Sequence, residues 1–169
     1  GISCSAGRGA ESIINGIAGS GSAAVAIESD GVTINGFTIT NPLGSFGTFA
    51  KGRNNTTVQF NIITNVGNST NGSGPTYGVA IEMGSAANIS NVNIANNCVN
   101  NIRGGENTSL TGAAAKNNNG SGVGIGAGFS MANFDISSLT ISGNEITGIS
   151  ACISAFSDGG KGAYGVIIN

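Results

Sequence analysis

Three stretches of the chain align without gaps: VTINGFTIT from Val32, VNIANNCVN from Val92 and LTISGNEIT from Leu139. In each, an apolar first residue is followed two places on by isoleucine (Ile34, Ile94, Ile141) and seven places on by another apolar residue (Ile39, Val99, Ile146). No other feature constrains the fold as strongly, because a short unit that cannot bury its own apolar face must bury it against its copies. A fourth copy, VQFNIIT from Val58, fits if its bend is two residues shorter.

Within each copy the two apolar stretches flank small or polar residues, Asn35-Gly36, Ala95-Asn96-Asn97 and Ser142-Gly143-Asn144, so each unit reads strand, tight bend, strand. Alternation places Val32 with Ile34, Val58 with Phe60, Val92 with Ile94 and Leu139 with Ile141 on one face, while Thr33, Gln59, Asn93 and Thr140 face water. A third strand per unit is expected at Val25 to Ile27, Val79 to Met83, Val123 to Gly128 and Val166 to Asn169. The copies begin at residues 32, 58, 92 and 139, and the surplus falls in GNSTNGSGPT (67–76) and RGGENTSLTGAAAKNNNGS (103–121), which are rich in turn formers and read as loops on a repetitive trunk.

Composition agrees with strands rather than helices. The chain has 21 Ile and 9 Val against 3 Leu, and β-branched side chains suit a pleated surface. Its 30 Gly and 23 Asn supply turns. Only 2 Pro and no three-residue glycine period exclude collagen, and a mean hydropathy of +0.17 with 8% charged residues is wrong for disorder. A hairpin sandwich would need turn signals every ~8 to 12 residues between sequence-adjacent strands. Equivalent short strands recurring at longer intervals stack instead as coils, with Val32, Val58, Val92 and Leu139 in one file and Ile34, Phe60, Ile94 and Ile141 in the next. Asn97 and Asn144 share a repeat position, where stacked amides satisfy one another at a corner.

The expectation is therefore an all-β, single-stranded right-handed parallel β-helix (β-solenoid) of about five coils. Residues 1–169 form one domain, or an internal section of a longer solenoid, about 24 Å tall at ~4.8 Å per coil. Its core should hold Val32, Ile34, Phe37, Ile39, Val58, Phe60, Val92, Ile94, Leu139, Ile141 and Ile146.

VTINGFTITN and VNIANNCVNN resemble the coil repeats of right-handed parallel β-helix proteins of the pectate-lyase-like superfamily. GRGAESIING (7–16) followed by AAVAIESDGVTINGFTITN is similar to inner coils of secreted surface proteins of that group. The resemblance covers most of the chain and implies the fold. Function it leaves open, since the same coil serves lyases, hydrolases, adhesins and structural filaments. Relative to that family the chain begins mid-solenoid at Gly1-Ile2-Ser3 and ends in an unfinished strand, Ile167-Ile168-Asn169.

A net charge of −2 from scattered charges offers no basic stripe for nucleic acid, and no apolar run is long enough for a membrane span. With no His, imidazole chemistry is absent. A lyase or hydrolase of the kind the resemblance implies would use clustered Asp, but Asp30, Asp135 and Asp158 fall in different coils; no catalytic, cofactor or metal residues are assigned. Lys51 and Arg53 come nearest to a cationic cluster, with room for Glu82 or Glu28 on a neighbouring strand, but each of these charges reads first as a solvated loop residue. For ice binding, Thr33 and Thr140 share an outward position, but Gln59 and Asn93 interrupt the file.

Cys4, Cys98 and Cys152 have no metal-ligand spacing and read as small buried residues, one disulfide with a leftover thiol being the alternative in an oxidising compartment. Sequons occur at Asn54, Asn55, Asn68, Asn71, Asn88, Asn107 and Asn119. Asn68, Asn71, Asn107 and Asn119 lie in the expected loops, as candidate glycan-contact or glycosylation positions. The function that fits first is a non-catalytic extracellular or cell-surface structural or adhesive solenoid, self-associating end to end, with a polysaccharide as candidate partner. A degenerate carbohydrate-active β-helix is second and ice binding third.

Overall fold

The structure, a computed structural model, describes residues 4, 12–17, 22–67, 74–82, 88–104, 120–129, 135–151 and 162–168. Among them every regular element is a β-strand, and every pairing is parallel. The first sheet stacks β1 (Ile13–Asn15), β4 (Thr38–Asn41), β7 (Ile62–Gly67), β10 (Cys98–Arg103) and β13 (Glu145–Ser150). The second stacks β2 (Ala23–Ile27), β5 (Phe46–Lys51), β8 (Thr76–Glu82), β11 (Gly122–Phe129) and β14 (Ala163–Ile168). The third stacks β3 (Thr33–Asn35), β6 (Thr57–Gln59), β9 (Ile89–Ala95) and β12 (Ile136–Ser142). The chain visits third, first and second sheet in turn and then repeats, so each sheet gains one strand per circuit, the connectivity of a β-solenoid.

Apolar files line the interior as the alternation requires. Ile39, Ile63 and Val99 stack in the first sheet, and Val58 and Ile94 in the third, all buried in one cluster. Val92 is buried with them, while Val32, Ile34, Phe37, Leu139, Ile141 and Ile146 are half-buried against that cluster. Each fully buried Ile or Val contributes about 1.5–3 kcal/mol relative to exposure.

Phe60 is not in the core. The register pairs Ile34 with Val58 and Val58 with Ile94, so the fourth copy sits two residues from its expected alignment. Phe60 falls at the bend, 39% exposed and at φ 53°, level with Gly36, Asn96 and Gly143, which also have positive φ. Thr56, fully buried, takes the place assigned to Val58, and its hydroxyl donates to the Arg53 carbonyl at 3.3 Å.

The corrected register extends the amide column at this corner by one coil. Asn61 Nδ2 donates to Asn97 Oδ1 (3.1 Å) and Asn97 Nδ2 to Asn144 Oδ1 (2.9 Å). The same oxygens accept the backbone N–H of Asn61 (3.0 Å) and Asn97 (2.9 Å), and Asn61 Oδ1 accepts that of Phe37 (3.0 Å). The amide nitrogens also reach the carbonyls of Ile34, Val58 and Ile94. Backbone groups turned away from the ladder at the bend thereby find partners inside the protein.

The second sheet follows a repeat that the first strands of each copy do not reveal: FGTFA, YGVAI, VGIGA and YGVII, starting at 46, 77, 123 and 164. Its glycine column is dictated by the sheet opposite. A Cβ at Gly78 would lie 2.5 Å from Val99 Cγ1 and 2.7 Å from the Gly124 carbonyl, with no room to yield.

Cys98 is fully buried, as the sequence suggests, but as half of a disulfide rather than as a free thiol. It lies beside inward Val99 and so faces out of the coil, where it forms a disulfide with Cys4, 94 positions away in sequence. The burial expected of Cys98 is present, and of the two readings offered for these cysteines the disulfide is the one that joins Cys4 to it; Cys152 lies outside the described residues.

Candidate functional site

Among the described residues the inward side chains pack into one apolar core, so the polar and aromatic groups that could bind a partner stand on the outward faces. On the second sheet, the 46/77 register stacks Phe46 on Tyr77, with centroids 5.5 Å apart and planes 8° from parallel. Phe49 adds a tilted ring 4.7 Å from Phe46. Both phenylalanines reach the outside because inward Gly47 and buried Thr48 separate them. Together with Pro75, Ala80 and Glu82 these rings line a cavity of about 170 Å³.

At its edge Lys51 Nζ lies 2.6 Å from a Glu82 carboxylate oxygen, across one rung of the β5–β8 ladder. Glu82 does lie on the strand neighbouring Lys51, and the two charges form an ion pair rather than standing as separate solvated loop charges. Burial, and then the Glu82 charge, push the Tyr77 phenol above its ordinary range, so it stays neutral. The slot therefore presents apolar ring faces beside a pair of mutually neutralised charges. It can hold a group that is apolar on one side and hydrogen-bonding at its edge.

The third sheet presents a different surface. Asn55, Thr57, Asn91, Asn93, Ser138 and Thr140 line a shallow trough of about 410 Å³ without a charged side chain. The two-residue correction puts Thr57 rather than Gln59 level with Thr33, Asn93 and Thr140, so hydroxyls occupy three of the four coils in that file. Below it Asn55, Asn91 and Ser138 all have positive φ, and Asn91 Nδ2 donates to Asn55 Oδ1 at 3.0 Å. On the first sheet the outward row is Asn15, Thr40, Thr64, Asn100 and Thr147, in which Thr40 donates to Asn15 (2.7 Å) and Thr64 to Asn100. A groove of about 320 Å³ runs past it between Pro42, Asn65, Asn101 and Arg103.

The carboxylates do not converge. Asp30 accepts from Asn54 N (2.9 Å) and Nδ2 (3.3 Å), and these bonds, the backbone one first, hold its carboxyl below the usual range. It stays ionised and works as a corner staple, which removes it as a general acid. Asp135 is exposed at the start of β12, and Asp158 lies outside the described residues. Among the described residues no three His, Cys, Asp or Glu approach closely enough to hold a metal ion. Among the described residues no helix is long and apolar enough to cross a membrane. Asn68, Asn71, Asn107 and Asn119 lie outside the described residues.

The aromatic slot escaped sequence reasoning because β5 was not expected as a strand. The signal that marks it is the aromatic-glycine pair, Phe46-Gly47, Tyr77-Gly78 and Tyr164-Gly165. The chain matches no protein-family model, and comparison with curated proteins and with solved structures likewise finds no match.

Proposed function

We propose that the chain is a non-catalytic structural or adhesive element of the extracellular space, a right-handed parallel β-helix of the pectate-lyase-like kind that stacks end to end. The observation that carries this reading is the last coil. Val166 is 44% and Ile168 64% exposed, although their register partners one coil earlier, Ile125 and Ala127, are fully buried. Among the described strands β14 is an edge strand, paired on one side with β11. An apolar coil end with a free strand edge is stabilised by a further coil laid upon it, and when a second copy supplies that coil the contact is head to tail and does not close. The Cys4–Cys98 disulfide supports an oxidising, extracellular setting. The slot of Phe46, Phe49 and Tyr77 with the Lys51–Glu82 pair supplies a contact point for an amphipathic partner such as a neutral polysaccharide. Right-handedness follows the strong preference of parallel crossovers.

Negative-stain electron microscopy of the purified chain, with its intact mass, tests the assembly. Filaments built from subunits near 16.5 kDa are expected. Compact monomers at every concentration would overturn end-to-end stacking.

The file of Thr33, Thr57 and Thr140 favours a second reading, adsorption to an ordered surface such as ice, because it repeats hydroxyls along a flat sheet. Thermal hysteresis that disappears in Thr57→Tyr would support it, and none in the unaltered chain would dismiss it.

A further inference from the structure

We propose that the Cys4–Cys98 disulfide is a mechanical lock that takes the first nine strands out of the path of tension along the chain. The bond joins a residue ahead of β1 to the first residue of β10 and closes a loop of 94 positions. Strands β1 to β9, Ile13 through Ala95, all lie inside that loop. A pull applied ahead of Cys4 and beyond the last strand passes through the sulfur–sulfur bond straight into β10. It then continues through β11 to β14 without loading anything between. The lock is seated as well as bonded: the Cys4 N–H donates to Glu145 Oε2 on β13 at 2.9 Å, so the Cys4 end is held against two successive coils.

Backbone hydrogen bonds and apolar packing yield under load far below the strength of a covalent bond. The exposed last coil is therefore the part that gives way, while the older coils keep their ladders and their amide column. Once the bond is open, tension reaches every strand. Reduction by a small dithiol breaks the sulfur–sulfur bond, passes two electrons and two protons to Cys4 and Cys98, and leaves the dithiol as a disulfide. The use of such a lock rests on the structural or adhesive role proposed above; the lock itself rests on the bond and the strand order.

Single-molecule force spectroscopy on the whole chain, held by handles at its two ends, tests it. The oxidised chain should release ~330 Å less contour than the dithiol-treated chain, the length of 94 residue steps at ~3.3–3.6 Å each. Cys4→Ser should release the longer length without reductant, Cys98→Ser should match it, and Cys152→Ser should behave as the unaltered chain. Equal release lengths with and without dithiol, or loss of the difference in Cys152→Ser, would overturn the lock. Absence of filaments by microscopy with the length difference intact would remove the stacking reading and leave the lock standing.

Discussion

Replacing Asn97 with alanine tests whether the corner amides hold the coils together. Asn97 is completely buried, and its side chain makes four hydrogen bonds: it accepts from Asn61 N and Nδ2, and donates to the Val58 carbonyl and to Asn144 Oδ1. Truncation leaves the Asn61 N–H without its acceptor, which costs about 1–3 kcal/mol when buried. Asn61 Nδ2 keeps Ile34 O and Gln59 O, and Asn144 Oδ1 keeps the Asn97 N–H, so the other lost bonds weigh less, about 0.5–1.5 kcal/mol each. The expected loss is about 3–5 kcal/mol, a large share of the ~5–15 kcal/mol typical of a domain. Urea unfolding followed by far-UV circular dichroism reads it as a fall in midpoint. Asn97→Asp sharpens the test. It preserves the acceptor facing Asn61 but turns a second acceptor toward Val58 O and Asn144 Oδ1. At neutral pH it should be at least as damaging as alanine, and partly recover in acid, where the protonated carboxyl regains a donor. Asn93→Ala, outward on the third sheet, is the control and should stay within about 0.5 kcal/mol. If Asn97→Ala were indistinguishable from Asn93→Ala, the column would not hold the coils and the reasoning would fail.

Three further outcomes are expected. Gly78→Ala should destabilise by about 1–3 kcal/mol in the same assay, because its methyl meets Val99 and the Gly124 carbonyl; an unchanged midpoint would mean the sheets are less tightly apposed than described. Thr48→Val should stabilise the fold by about 1 kcal/mol, read as a higher midpoint, since the Thr48 hydroxyl is buried without a partner and its register neighbours Val25 and Val79 are already valine; a loss instead would reveal a bond to that hydroxyl. Asp30→Asn should lower the melting temperature at neutral pH and converge with the unaltered chain in acid. Because folding depresses the Asp30 carboxyl below its ordinary 3.8, its contribution is present above that value and fades as pH falls through the folded one. A gap that persists at low pH would refute the charge-based account.

Much of the architecture is written in the repeats. The copies from Val32, Val92 and Leu139 show that strands stack in register, that Ile34, Ile94 and Ile141 face inward, and that Asn97 and Asn144 meet at a corner. The copy at Val58 was misaligned for a definite reason. A strand pattern repeats every two residues, so a slip of two keeps each side chain on its own face and leaves the apolar pattern intact. Only the ladder that joins Val58 to Ile34 and Ile94 distinguishes the two registers, and with it Val58 from Phe60 as the core partner of Ile34 and Thr57 from Gln59 as the outward residue level with Thr33. The functional features were less legible still. Phe46 meets Tyr77, Lys51 meets Glu82 and Cys4 meets Cys98 across circuits of unequal length, and unequal circuits erase any fixed spacing by which such pairs are found. Local alternation alone determined that the chain is a stack of parallel strands around an isoleucine and valine core; which residues share an outer face was decided by the stacking, because a register is a relation between coils and no single coil contains it.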